Sequence, residues 1–157
     1  MEWYVNNREV IKNLAINIGT SGSPEYAPIC TTSEINITTD FEEKDFYVFC
    51  DALKRKIITG ASVMLSGTLK LDVNNNGDLA LIDKVHTLIG DGEITQFTNV
   101  GVQFDLISGT SNGVIEYTTY QANVTLNVSD LGGAAEDESE FTFEMQLIGK
   151  ATEVSSS

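Results

Sequence analysis

Positive charge is what this sequence has least of. Nine Lys and Arg stand against twenty-three Asp and Glu in 157 residues, a formal charge of −14. That balance argues against a nucleic-acid backbone or an anionic lipid surface as a binding partner and favours solubility. It leaves room for a wall that DNA merely slides past, since such a wall is well served by acid. Histidine is nearly missing: His86 is the single one, no Gly-x-Ser-x-Gly elbow or Cys and His pairing occurs, and nucleophilic catalysis finds no support. A lone His on a helix reads as structural or solvated. Cysteine is scarce too. Cys30 and Cys50 are too few for a disulfide framework and wrongly spaced for zinc, so they read as half-buried thiols. Gly19 and Gly22 lack the Lys and Ser or Thr of a phosphate loop and precede no helix. No apolar run approaches membrane-spanning length, and Met1 to Lys12 lacks the basic start and apolar run of a signal peptide. The expectation is a chain without catalysis, cofactor or membrane segment.

What is present leans towards strands. Thr, Val, Ile and seven Phe are plentiful, thirteen Gly punctuate, and Pro occurs twice. The organising stretch is Ser62 to Gly90. Val63, Leu65, Leu69, Leu71 and Val73 take odd positions while Ser66, Thr68, Lys70 and Asp72 take even ones, the period of a half-buried strand. Asn74 to Gly77 then makes a turn. Leu81, Ile82, Val85, Leu88 and Ile89 follow at helical spacing, predicting a helix over about 78–89 that lies on the odd-numbered face of the sheet, with Gly90 just past its end. Alternation also predicts strands over Leu14 to Ile18, Ile29 to Asp40, Thr98 to Ile107, Val114 to Val128 and Phe141 to Leu147, with an Asn112-Gly113 turn between the third and fourth. The reading is mainly β: a β-sandwich or flattened β-barrel with one packed helix and a long loop at about 40–60. It assigns residues 1–150 to one domain, long enough to bury about 70% of its unfolded surface, and leaves 151–157 as a disordered tail.

Four kinds of residue invite a functional reading. Asp72, Asn74, Asn76, Gly77, Leu79 and Asp83 match the spacing of a calcium loop followed by a helix. The entry element is a strand, the last ligand is Asp rather than Glu, and Asn and Gly are what a strand-to-helix turn selects anyway, so the preferred reading is a capped turn without metal. Lys54, Arg55 and Lys56 form the basic cluster, and Glu136, Asp137, Glu138 and Glu140 the densest acidic one. Each reads as a solvated loop, and the sharper alternative is that they meet between copies of the chain. Three Asn-x-Ser/Thr triplets, at Asn36, Asn123 and Asn127, read as chance in Asn- and Thr-rich strands. Finally, Gln103, Asp105, Asn123, Asn127, Thr142 and Glu144 lie on the polar sides of predicted strands, a neutral to acidic surface that repels phosphate.

The order of these segments resembles the tail tube proteins, or major tail proteins, of tailed bacteriophages. The resemblance rests on the Thr-rich run Thr31 to Asp40 with the charged Phe41 to Asp45 after it, on Asp51 to Gly60 leading into Ala61 to Leu71, on the helix, and on the closing Phe141 to Lys150. It covers most of the chain and implies a structural protein. Copies would form hexameric rings that stack into a hollow tube for DNA ejection, each lending strands to an inner barrel and the loop Asp40 to Gly60 to the next ring. By the same resemblance the partners are further copies, a tape measure, a tail terminator and tail tip proteins. The location is the virion tail, assembled in the bacterial host cytoplasm. The alternative is a stand-alone β-sandwich binding module, calcium-stabilised through Asp72 and Asp83 and extracellular.

Overall fold

The computed structural model describes residues 4–6, 9–19, 22–29, 32–48, 51–129, 131–132 and 134–154, and in 32–33, 46–48, 51–57 and 96 the backbone alone. Cys30 and Cys50 lie outside the described residues. Eight strands form one antiparallel sheet: β1 Ile11–Asn17, β2 Tyr26–Pro28, β3 Thr32–Val48, β4 Asp51–Lys70, β5 Val100–Ser111, β6 Val114–Ser129, β7 Glu140–Leu147 and β8 Thr152–Val154. Two helices, α1 Asn76–Asp91 and α2 Thr95–Thr98, separate β4 from β5. The sheet runs β2-β1-β5-β6-β7-β4-β3, with β8 alongside β6 at residues 119–121. The mainly β class with one packed helix therefore holds.

Alternation makes the core. Leu65 and Leu69 of β4, Phe141, Phe143 and Met145 of β7, Val124 and Leu126 of β6, Val100, Val102 and Phe104 of β5, and Ile16 of β1 are buried in one cluster. The intervening residues of each strand point the other way, because side chains alternate across a pleated strand. Strand β1 breaks the period within the core. Asn13 takes φ 57°, the register shifts between Lys12 and Ala15, and Leu14, Ala15 and Ile16 are buried in succession, the signature of a bulge. The Asn112-Gly113 turn adopts φ 54° and 80°, the left-handed pair that a tight hairpin requires.

Two expectations about elements need correction. The stretch 40–60 is not a loop: β3 and β4 stay paired out to Val48↔Asp51, so it is the outer half of a long hairpin. β4 meets β7 only from Met64 to Lys70. Beyond that point β3 and β4 form a two-stranded arm of roughly 30 Å at about 3.3 Å per residue. The arm escaped detection because an unsupported ribbon has little buried face to impose alternation, and a register shift at Glu42/Glu43 breaks the pattern that remains. The second correction concerns 151–157. Thr152–Val154 is a strand on β6, which carries the ordered chain past residue 150.

Helix α1 is longer than its stripe suggests. Asn75 is the N-cap, its side chain accepting from Gly77 N–H at 2.9 Å. Gly90 lies inside the helix, and Gly92, at φ 68°, is the left-handed residue past the end, donating to Leu88 O at 3.0 Å. The helix rests on β1 and β2 rather than over β4. Its first half is pinned: Gly77, Asp78 and Leu81 are buried, and a Cβ on Gly77 would stand 2.5 Å from Pro28 O. Its second half is not, and Ile89 is 79% exposed.

Candidate functional surfaces

Cross-strand register decides which side chains share a face, since directly opposed residues point the same way. Glu144 pairs Asn127 on one side and Ser66 on the other; Thr142 pairs Ser129 and Thr68. Asn123 pairs Gly101, and Gln121 pairs Gln103. Thr119 pairs Asp105, which pairs Lys12. The six polar residues Gln103, Asp105, Asn123, Asn127, Thr142 and Glu144 thus stand on one continuous face, opposite the core. Glu34, Asn36 and Asp40 of β3 extend it through their pairing with Thr68, Ser66 and Ser62.

Hydrogen bonds run across this face from strand to strand. Asn13 Nδ2 donates to Asp105 Oδ2 at 2.8 Å and Thr119 Oγ1 to Asp105 Oδ1 at 2.5 Å. Gln121 Nε2 donates to Gln103 Oε1 at 2.8 Å, and the hydroxyls of Ser129 and Thr142 lie 2.8 Å apart. The face also carries two lysines, and each is matched by a carboxylate. Lys12 Nζ is 3.1 Å from Glu9 Oε2 and 5.0 Å from the centre of the Tyr117 ring, while the Tyr117 hydroxyl donates to Glu9 O at 2.7 Å. Hydrogen bonding to Glu9, then to Tyr117, raises the Lys12 pKa above 10.5. Lys70 Nζ is 3.4 Å from Glu138 Oε2. The Glu9–Lys12–Tyr117 group escaped sequence reading, because its members are joined by the sheet, not by spacing. The bulge at Asn13 was invisible for a similar reason: only the fold reveals that its side chain reaches Asp105.

The calcium-loop residues do a different job. Asp72 Oδ1 accepts from Asn74 N–H at 2.9 Å, closing a turn, and Asp78 Oδ2 accepts from Asp72 N–H at 3.0 Å, tying the end of β4 to the first turn of α1. A carboxylate at that position also meets the positive end of the helix dipole. Helix begins at Asn76, so Asp83 rides along α1 away from Asp72, and Asn74 and Asn76 are exposed. The four residues do not converge, and among the described residues no group of three His, Cys, Asp or Glu is placed to hold a metal. Asp78, three residues after the Asn75 cap, was the readable signal of this capped turn.

The two charge clusters lie far apart in the chain. Lys54, Arg55 and Lys56 are in the outer half of β4, paired in register with Tyr47, Phe46 and Asp45. Asp137, Glu138 and Glu140 line a groove at the other end of β4 together with Lys70, Gly132 and Ala134, and Glu136 is exposed next to them in the chain. Sixteen residues of β4, roughly 50 Å at strand rise, separate Lys54 from Lys70. Within one copy the clusters do not meet. His86 sits on the exposed side of α1, and among the described residues no helix is long and apolar enough to cross a membrane.

No protein-family model matches the sequence. No curated protein matches it either. Solved structures do match in three dimensions. The tail of an empty gene transfer agent particle, determined by helical refinement with C6 symmetry, superposes with a TM-score of 0.59 at 15% identity, covering 97% of this chain and all of that one. The SPP1 tail tube gives 0.58 at 11% identity over 92% of this chain and 76% of that one. The chain has a tail tube fold. A chain from the virion of a native gene transfer agent particle shares it, with a TM-score of 0.53 at 15% identity over 91% of this chain and 96% of that one. At such identities it is the tail tube fold that is shared, with few of the side chains that decorate it.

Proposed function

We propose that this chain is the self-assembling structural subunit of a phage tail tube, without catalysis, in which hexameric rings stack into a conduit for DNA. The observation that carries this reading is the continuous polar face. A sheet that buries one side and presents the other as a hydrogen-bonded, neutral to acidic surface suits the wall of a channel. Glu34, Asp40, Asp105, Glu140 and Glu144 outnumber Lys12 and Lys70 there, and both lysines have a carboxylate beside them. On balance such a wall repels phosphate. The tail tube fold and the C6 symmetry of the similar gene transfer agent tail support the ring. The long open edge of β3 supports self-association, since an exposed edge strand is a template for pairing with another chain.

The proposed partners are further copies, a tape measure, a tail terminator and tail tip proteins, within a virion tail assembled in the host cytoplasm. The basic stretch Lys54 to Lys56 faces the acidic surface of a neighbouring copy, so assembly weakens as salt screens the pair. Negative-stain microscopy of the purified chain tests the proposal. Rings or tubes are expected at low ionic strength and fewer at high. Featureless monomers at high concentration would favour a stand-alone binding module instead.

A further inference from the structure

We propose that Asn112, at the tip of the β5–β6 hairpin, is a self-modifying site that converts to isoaspartate and aspartate, while Asn76, in the same dipeptide, is held intact by the fold. The inference does not depend on the tube reading. Asn followed by Gly is the pair most open to this chemistry, because a glycine amide has no Cβ beside it to hinder its approach to the preceding side chain. The chain holds that pair twice, at Asn76-Gly77 and Asn112-Gly113. Both Asn residues are exposed, so what separates them is the amide that follows.

The Gly77 amide is committed. It donates to Asn75 Oδ1 at 2.9 Å in the cap of α1, and Gly77 is buried, with Pro28 O 2.5 Å and Ala27 O 3.0 Å from where a Cβ would stand. Turning that amide onto Asn76 Cγ would break the cap and drive backbone into backbone. The first turn of α1 has to open before Asn76 can react.

Gly113 meets none of this. It is exposed, and nothing lies within 4 Å of its Cβ position. The ladder closes on Ser111↔Val114, outside the two turn residues, and Val114 is itself 66% exposed. Among the described residues no strand flanks the tip: β1 pairs β5 no further than Leu106, and β8 meets β6 only from Thr119. β5 also shifts register between Ile107 and Gly109. A hairpin end tied to the sheet by so little opens readily, which frees Asn112 and Gly113 from their left-handed φ of 54° and 80°.

The reaction needs only water. The Gly113 nitrogen gives up its proton and attacks Asn112 Cγ; the new C–N bond closes a succinimide while the Cγ–Nδ2 bond breaks, and Nδ2 leaves with that proton as ammonia. Water then opens the ring at either carbonyl. Addition at Cγ gives aspartate, and addition at the backbone carbon gives isoaspartate, whose main chain runs through the former side chain. No oxidant or reductant enters, and the net change is water for ammonia. Aspartate keeps the turn, since Asp-Gly suits it as Asn-Gly does, and adds a negative charge. Isoaspartate adds the same charge and a methylene to the main chain, which strains the Ser111↔Val114 pair.

Peptide mapping by mass tests this on the wild-type chain, left folded in mildly alkaline buffer at physiological temperature. The exchange of ammonia for water should appear in the peptide holding Asn112 at least about tenfold faster than in the one holding Asn76, the least that opening a capped helix turn should impose. In denaturant the two should convert at similar rates. Methyl transfer from S-adenosylmethionine by an isoaspartyl methyltransferase should label the aged chain, and the label should be lost in Asn112→Ser, which has no amide to expel. An Asn112 that stays intact, or an Asn76 that converts as fast in the folded chain, would overturn the inference. A difference that persists in denaturant would place its cause in the flanking sequence and overturn the fold's part in it. Aspartate at position 112 without isoaspartate would mean direct hydrolysis, and would overturn the ring mechanism.

Discussion

Gly77 is the residue on which the placement of the helix turns. Alanine is the better helix former by about 1 kcal/mol, yet here its Cβ would lie 2.5 Å from Pro28 O and 3.0 Å from Ala27 O. Backbone carbonyls cannot swing aside, so the clash outweighs the propensity. Gly77→Ala should cost about 1–3 kcal/mol and lower the thermal midpoint by roughly 3–10 °C, read by scanning calorimetry. Lys84, on the same helix, contributes with the opposite sense. Burial lowers its pKa from 10.5, so between the lowered value and 10.5 the unfolded chain binds more protons than the folded one. Stability then rises with pH across that window. Lys84→Met should be more stable than wild type at neutral pH, and the gap should narrow as pH approaches 10.5 in denaturant titrations. Residues of this kind were only partly legible. The Asn75 and Asp78 cap could be read from spacing, but the Gly77 contact could not, because Pro28 is distant in sequence and becomes a neighbour only through β2.

The arm is the element that the structure adds to the sequence reading. Strands with a buried side announced themselves by alternation, and β5, β6 and β7 fall close to where that pattern placed them. Where the arm's side chains are described, at 42–45 and 58–59, they are exposed, so burial imposed no pattern there. β8 is three residues long, too short for any period to show. The arm's independence from the core has a direct test. Replacing residues 42–60 by Asn-Gly puts a two-residue turn on the existing Phe41↔Ala61 pair. No buried side chain is lost by the deletion among those described. The shortened chain should keep its circular dichroism spectrum and its thermal midpoint within a few degrees, and should sediment as a monomer where wild type assembles.

At the scale of the whole molecule, the proposed channel role of the polar face has a direct test. Asn127→Lys with Glu144→Lys places two positive charges on paired neighbours in the middle of that face. Rings should still form, because both side chains are exposed and point away from the core. Short duplex DNA should then be retained by the assembled protein at low salt, with a salt slope steeper by about one per lysine, whereas wild type retains none. That these residues share a face could be suspected from alternation within each strand, but which strand lies beside which could not, since the order β5-β6-β7-β4-β3 crosses the helices. One consequence of that order concerns synthesis. β7 is the strand that joins β6 to β4, and it is Glu140–Leu147, made after both of the hairpins that it connects. Until it emerges, the β3–β4 hairpin and the β5–β6 hairpin are separate pieces with no shared sheet. The polar face is therefore not continuous on a nascent chain until residues 140–147 are made, and a single late strand joins two hairpins that can form before it.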